Sequence, residues 1–148
     1  MKLLRRIFED KDSPQRVGLF VDGPNVLRSE FDVDLDEVRD IAAEYGPLAV
    51  TRLYVDQNAS PGLIQAAEAR GFEVRTTSGD VDVRLAVDAT DAAVAGQIDV
   101  LAVASRDTDF KPALEVAARE GVKTVAIAPG EYGRSDALRN AAEDAVTL

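Results

Sequence analysis

Carboxylates stand where several apolar runs of this 148-residue sequence end. The run "VASRDTDF" breaks off into Asp107 and Asp109, "VGLFVDGPNV" stops at Asp22, and the acidic cluster "GDVDVRLAVDATD" contains Asp82. Clustered carboxylates repel one another unless a cation neutralises them, and hard oxygen ligands suit Mg²⁺ or Mn²⁺. The chemistry that this pattern favours is phosphodiester hydrolysis by metal-activated water.

Each of these aspartates also has a simpler structural explanation. Asp22 precedes Gly-Pro and fits an Asx turn, and either Asp107 or Asp109 fits a helix N-cap. Asp82 in a first helical turn would complement the helix dipole, and Asp88 fits a solvated helix face. The case for a site therefore depends on whether the aspartates of the three segments meet in space.

The residue types that this chain lacks restrict the kinds of catalytic and metal sites it can form. The chain has no cysteine and no histidine, which excludes disulfides, thiol catalysis and zinc sites built on thiolate or imidazole. Any metal must be held by oxygen. No apolar stretch approaches the roughly 20 residues that span a bilayer, and the first residues lack the features of a signal peptide. We therefore expect a cytoplasmic protein without a membrane partner.

The charge balance is strongly acidic. Asp and Glu number 27 against 17 Lys and Arg, and the net charge is −10. Such a surface repels itself in dilute buffer, whereas molar salt screens the repulsion. The pattern predicts a halophilic source, such as a halophilic archaeon, and the alternative is simply an acidic protein. In high salt the acidic surface argues less strongly against a nucleic-acid partner.

Strand and helix patterns alternate strictly from residue 17 onward. The predicted strands read "VGLFV", "LAVTRLYV", "FEVRTT", "DVLAVA" and "KTVAIA", and helical patterns cover about 34–45, 60–70, 81–95, 109–120 and 134–143. Glycines stand where four of these helices would end: Gly46, Gly71, Gly96 and Gly121. The alternation predicts a three-layer, Rossmann-like α/β fold, with a mostly parallel sheet of five or six strands and helices on both faces.

This fold would bring the acidic segments together. Ligands of open α/β sheets bind outside the carboxyl ends of the strands, where the strand order reverses. Asp22 leaves the first strand at that end and Asp107 leaves the fourth, and these two strands are expected to be neighbours. Asp82 lies in the first turn after the third strand. We therefore expect Asp22, Asp82, Asp107 and Asp109 to share one crevice.

Four blocks of the sequence, in order, resemble the NYN domain, and specifically the LabA-like branch of the PIN-like nuclease superfamily. They are "FVDGPNV", "DVDVRLAVDAT", "SRDTDF" and "RSDALRNAAEDAVTL", and the resemblance covers about residues 16–148. It implies a compact PIN-like fold with an acidic cluster that coordinates Mg²⁺ or Mn²⁺. Members of the family are known or presumed ribonucleases.

The resemblance assigns roles to particular residues of this chain. Asp22, Asp82, Asp107 and Asp109 match the family's catalytic, metal-binding aspartates. Polar positions that match its loop-ordering or substrate contacts are Asn25, Ser105 and Ser135. The chain departs from the family at Arg106, where the family has glycine and where arginine could supply a phosphate contact. It also departs at Gly79-Asp80, where a lysine-glycine pair is frequent.

The sequence thus predicts two segments and one leading function. Residues 1–15 form an amphipathic lead-in whose apolar side chains we expect to pack on the domain's own surface, and 16–148 form the NYN domain. The leading function is that of a metal-dependent endoribonuclease acting on single-stranded RNA, with Tyr54, Tyr132 or Phe110 as stacking faces. The alternative is a non-catalytic NYN-fold regulatory or partner-binding module. A homodimer is an open option.

Overall fold

Six strands form one sheet in which every neighbouring pair is parallel. The structure, a computed structural model, describes residues 14–27, 33–107, 110–130 and 136–148. The strands are β1 (Val17–Asp22), β2 (Leu48–Val55), β3 (Glu73–Thr76), β4 (Val100–Ala104), β5 (Lys123–Ala128) and β6 (Asp144–Thr147). Their order is β3-β2-β1-β4-β5-β6. The strand order therefore reverses between β1 and β4, because β2 and β3 lie on one side of β1 and the later strands lie on the other.

Helices cover both faces of this sheet. The described helices are α1 (Gly23–Val26), α2 (Leu35–Ala43), α3 (Pro61–Ala69), α4 (Val81–Val94), α5 (Lys111–Arg119) and α6 (Asp136–Ala141). Apolar residues of α1, α2 and α3 pack in one core cluster, and those of α4, α5 and α6 pack in a second cluster. Because both faces are covered, β1 and β4 are buried along their whole length.

The fold predicted from the sequence is confirmed, with two refinements. All five predicted strands are present, and β1 and β4 are neighbours as expected. The sheet is wholly parallel, and its sixth strand, β6, pairs with β5 after the last helix. Gly71, Gly96 and Gly121 have φ values of 87°, 73° and 80°, so they end their helices in the left-handed region that favours glycine.

The N-terminal lead-in lies almost wholly outside the described residues, which begin at Pro14. The division into residues 1–15 and 16–148 therefore stays a prediction. Among the described helices, none is long and apolar enough to cross a membrane.

Candidate functional site

The centre of the candidate site is the point where β1 and β4 end side by side. Val21 pairs with Ala104, and the next residues are Asp22, the last of β1, and Ser105, the first after β4. The Ser105 hydroxyl donates a hydrogen bond to Asp22 Oδ2 at 3.1 Å and accepts one from the backbone N–H of Asp107 at 3.0 Å. One buried side chain thus links both loops at the switch point of the sheet.

A second hydrogen bond joins the same two loops. Asn25 Oδ1 accepts from the backbone N–H of Arg106 at 3.1 Å. Between Asp22 and Asn25, the backbone of Gly23 approaches β2 so closely that a Cβ atom would lie 2.4 Å from the carbonyl oxygen of Tyr54. Only glycine permits this approach, which fixes the path of the chain from β1 into α1.

An acidic cleft of about 330 Å³ opens at this edge of the sheet. It brings together Asp22, Asp82, Asp107 and Asn25 of the predicted site residues. Two more of them, Asp109 and Ser135, lie outside the described residues. The residues lining the cleft are Asp22, Pro24, Asn25, Asp56, Gly79, Asp80, Val81, Asp82 and Asp107.

Asp22 is the most buried carboxylate of the cleft, with 4% of its surface exposed. Burial raises its pKa from 3.8 to about 6, and the hydrogen bond from Ser105 offsets part of the rise. The charge of Asp107 raises the pKa further, a backbone hydrogen bond at Asn25 lowers it, and the charge of Asp82 raises it again. Asp107 and Asp82 are therefore both close enough to influence Asp22.

The simpler explanations for these aspartates are partly right. Asp22 occupies the N-cap position of α1, but its side chain makes no capping hydrogen bond. Asp82 lies in the first turn of α4 as expected, where its Oδ1 accepts from the N–H of Val83 at 2.9 Å. The N-cap position of α5 belongs to Phe110, so Asp107 does not cap that helix. The side chains of Asp22 and Asp82 nevertheless both line the cleft.

Two cleft carboxylates, Asp56 and Asp80, were not among the predicted site residues. Asp56 follows the last residue of β2, and Asp80 occupies the N-cap position of α4. The signal for Asp56 was present, because it follows an apolar strand at its carboxyl end just as Asp22 does. Asp80 replaces a position at which the family pattern has glycine, so the cleft carries more negative charge than the resemblance implied.

The side chains that line this cleft are chemically suited to bind a hard divalent cation, because every charged group among them is a carboxylate. Among residues 14–27, 33–107, 110–130 and 136–148, however, no group of three or more acidic side chains is placed to hold an ion. The predicted fourth ligand, Asp109, is not among them. The ligand set thus stays a prediction at the level of individual residues.

Several polar and aromatic predictions need correction. Tyr54 and Phe110 are fully buried, so neither offers a stacking face to a base, and Tyr132 lies outside the described residues. Asp88 is not a solvated side chain either, because it is only 15% exposed and Oδ2 accepts from the Tyr54 hydroxyl at 2.7 Å. It also pairs with Arg84 at 3.3 Å. Asp88 therefore anchors β2 to α4.

The structure shows protein contacts for Ser105 and Arg106, and their substrate contacts stay predictions. Ser105 is 1% exposed and uses its hydroxyl on Asp22 and on the loop that carries Asp107. Arg106 is half-buried, and its backbone N–H binds Asn25. These contacts point to positioning roles for Ser105 and Asn25.

The fold and the site define an α/β protein: a doubly wound parallel sheet with an acidic cleft at its switch point. Residues 16–148 match the NYN domain, and the chain belongs to the NYN domain family. It is 40% identical over 149 aligned residues to an uncharacterized protein of Methanocaldococcus jannaschii. The alignment covers 99% of this chain and 62% of that relative, so the chain spans less than two thirds of the relative's length.

A solved structure has the same fold. The crystal structure of a protein of unknown function from Vibrio parahaemolyticus superposes with a TM-score of 0.79 and covers 93% of this chain and 94% of its own. The two sequences are 21% identical, so the likeness is one of fold.

Proposed function

We propose that the protein is a metal-dependent endoribonuclease of the LabA-like branch, acting in RNA processing or turnover. The observation that carries the proposal is the placement of buried Asp22 beside Asp107 and Asp82 at the switch point of the sheet. Burying a carboxylate next to two others is costly, and a cation is the natural way to offset the cost. Membership of the NYN family supports nuclease chemistry at this position.

Asp22, Asp82, Asp107 and Asp109 are the residues that would hold Mg²⁺ or Mn²⁺. When bound, such an ion favours deprotonation of the attacking water and offsets the negative charge that develops on the phosphate. The chain's own part is to present carboxylate oxygens toward one cleft. Burial of Asp22 lowers the local dielectric, which strengthens its attraction for a cation.

Ser105 and Asn25 act in this proposal as positioning residues. Ser105 holds Asp22 through one hydrogen bond and the backbone of Asp107 through another, so the two carboxylates keep a fixed relationship. Asn25 holds the backbone at Arg106 and so stabilises the loop that leads to Asp107. Arg106 follows Ser105 directly, and we propose it as a contact for a substrate phosphate, with Ser135 as a further polar contact.

Single-stranded RNA is the proposed substrate. A cleft of about 330 Å³ lies at the edge of the sheet and accommodates a phosphate with its flanking sugar more easily than a rigid duplex. The acidic surface opposes RNA binding at low salt, so RNA binding requires a divalent cation and a high ionic strength. The cytoplasmic location, the halophilic source and the homodimer stay predictions.

Cleavage of RNA in molar KCl tests this function. Wild type, Asp107→Asn and the control Asp40→Asn are incubated with single-stranded and double-stranded RNA in Mn²⁺, in Mg²⁺ and in EDTA. The control makes the same change at an exposed position on α2 that does not line the cleft. We expect Asp107→Asn to slow metal-dependent cleavage by about 10²-fold or more, while Asp40→Asn cleaves like wild type.

The same experiment separates the two functions that the sequence left open. Faster cutting of the single strand supports the proposed substrate, and a preference for duplex contradicts it. If neither metal supports cleavage although a metal raises the melting temperature, the chain is a non-catalytic NYN-fold module. Equal cleavage by wild type and Asp107→Asn would place the active site elsewhere.

A further inference from the structure

The outer face of α4 carries an apolar stripe that the described residues leave uncovered. Val83, Val87 and Val94 are 57%, 59% and 56% exposed, whereas most large apolar residues of the described chain are buried. Together with Thr90 they follow an i, i+4, i+7, i+11 pattern, so they lie along one side of the helix. Stripes of this kind on a soluble protein usually pack against something.

Next to this stripe lies a groove between α4 and α5. Its volume is about 480 Å³, and its lining is mostly apolar. Helix α4 contributes Val87 and Val94, among others, and α5 contributes Pro112, Ala113 and Val116. Asp91 is the acidic member of the lining and is exposed. An apolar groove between two helices, with a carboxylate at its side, suits an amphipathic helix that carries basic residues.

The first eight residues of the chain, "MKLLRRIF", have this character. At helical spacing, Leu3, Leu4, Ile7 and Phe8 fall on one side of the segment, while Lys2, Arg5 and Arg6 fall on the other. The segment contains three basic side chains and no carboxylate, in a chain whose net charge is −10. Its charge is therefore complementary to the rest of the protein.

The described chain begins beside the end of α4, close to the groove. The Arg16 guanidinium donates to the carbonyl oxygen of Gly96 at 2.7 Å, and Gly96 is two residues beyond Val94. The backbone N–H of Arg16 also donates to Asp99 at 2.8 Å, which fixes the start of β1 at this position. Phe8 and Arg16 are eight positions apart, which spans up to about 26 Å when the chain is extended. The stripe from Val83 to Val94 is roughly 16 Å long, so all of it is within reach.

We propose that residues 1–8 form an amphipathic helix that packs into the groove between α4 and α5 of the same chain. Leu3, Leu4, Ile7 and Phe8 fill the groove and cover the valine stripe, and Arg5 or Arg6 pairs with Asp91. The connection through Arg16 gives the segment a high effective concentration at the groove. A second copy of this acidic chain would instead have to overcome electrostatic repulsion before it could cover the same face.

Cross-linking tests this packing directly, because the chain has no cysteine of its own. Ile7→Cys is combined with Val87→Cys, and a short flexible bis-maleimide is added at several protein concentrations. The control combines Ile7→Cys with Glu37→Cys, an exposed position on α2 on the opposite face of the sheet. Circular dichroism checks folding, and Leu4→Cys with Val94→Cys replaces the first pair if that pair does not fold.

We expect an intramolecular product whose yield is independent of protein concentration and about tenfold greater than in the control pair. Adding Arg5→Glu and Arg6→Glu should reduce this yield several-fold at low salt and less in molar salt. A product that is mainly a cross-linked dimer would show that a second copy covers the groove. Equal yields in the Val87 and Glu37 pairs, or no product in either, would also overturn the proposal. None of these outcomes depends on nuclease activity.

Discussion

Ser105 donates a hydrogen bond to the carboxylate of Asp22 at 3.1 Å, across the boundary between β4 and β1. Both residues are almost completely buried, so this polar contact is shielded from water. The same hydroxyl accepts from the N–H of Asp107. Burial raises the pKa of Asp22, Ser105 lowers it in part, and the same hydroxyl holds the loop that follows β4.

Replacing Ser105 with alanine should therefore alter catalysis more than substrate binding. The hydrogen bond from Ser105 lowers the pKa of Asp22, so Ser105→Ala should raise that pKa and move the acidic limb of the rate profile to higher pH. We expect kcat to fall while KM changes little, as measured by cleavage of a fluorescent single-stranded RNA across pH. A higher KM with unchanged kcat would instead support the substrate contact that the family resemblance implied.

Asp22 should make the metal-free protein less stable as the pH rises. Its folded-state pKa of about 6 lies above the unfolded value of 3.8, so the folded state gains protons relative to the unfolded state between these pH values. Stability from protonated Asp22 is fully present below the unfolded pKa and is lost as the pH rises through the folded pKa. Asp22→Asn should remove this loss.

Urea unfolding in EDTA at fixed salt measures the effect. The stability advantage of Asp22→Asn over wild type should grow by about 1 kcal/mol between pH 5 and pH 7.5. This range lies above the sequence pI of about 4.4, which favours solubility. An advantage that stays constant with pH, or none at all, would contradict the raised pKa of Asp22.

A divalent cation should stabilise the folded protein by offsetting the repulsion among the carboxylates of the acidic cleft. At fixed molar KCl, millimolar Mn²⁺ or Mg²⁺ should raise the melting temperature of wild type, because a ligand that binds only the folded state stabilises it. Asp22→Asn should reduce the shift, whereas Asp40→Asn on α2 should keep it. A wild-type melting curve that neither metal moves would count against a metal site at this cleft.

Substitution of Asp82 should reduce activity and substitution of Asp88 should reduce stability, although both residues lie on α4. Asp82 lines the cleft, so Asp82→Asn should nearly abolish cleavage and leave the fold intact. Asp88 binds the hydroxyl of buried Tyr54, so Asp88→Asn should cost about 1 kcal/mol of stability and change cleavage by no more than a few fold. Cleavage rates and urea midpoints of both variants decide this, and a larger loss of cleavage from Asp88→Asn would contradict the arrangement.

The departure from the family pattern at Gly79-Asp80 should weaken RNA binding. Gly79→Lys with Asp80→Gly restores the family's lysine and glycine, and a Cβ at Gly79 would meet no atom within 4 Å. In an Asp107→Asn background that keeps RNA intact, the double change should tighten binding several-fold at low salt and less at high salt. Asp40→Lys makes an equal change in net charge on α2. If it tightens binding equally, the effect comes from net charge alone.

The sequence by itself determined the fold class and the edge of the sheet at which the candidate site lies. Near-continuous apolar strands, separated by amphipathic helices that end at glycine, allow little other than a parallel sheet covered on both faces. Aspartates that follow β1 and β4 must then lie at the carboxyl edge. The short strand β6 was not predicted, because four residues after a helix carry too little periodicity to indicate a strand.

Only the tertiary structure decided which polar side chains face the cleft and which face the core. Asp88 and Tyr54 are 34 positions apart, and nothing in the local pattern indicated that they bind each other. Asp22 and Ser105 are 83 positions apart, and their hydrogen bond exists because β1 and β4 are neighbours. Local spacing specifies helices and strands, whereas the pKa and partners of a buried carboxylate depend on residues that folding brings near from distant parts of the chain.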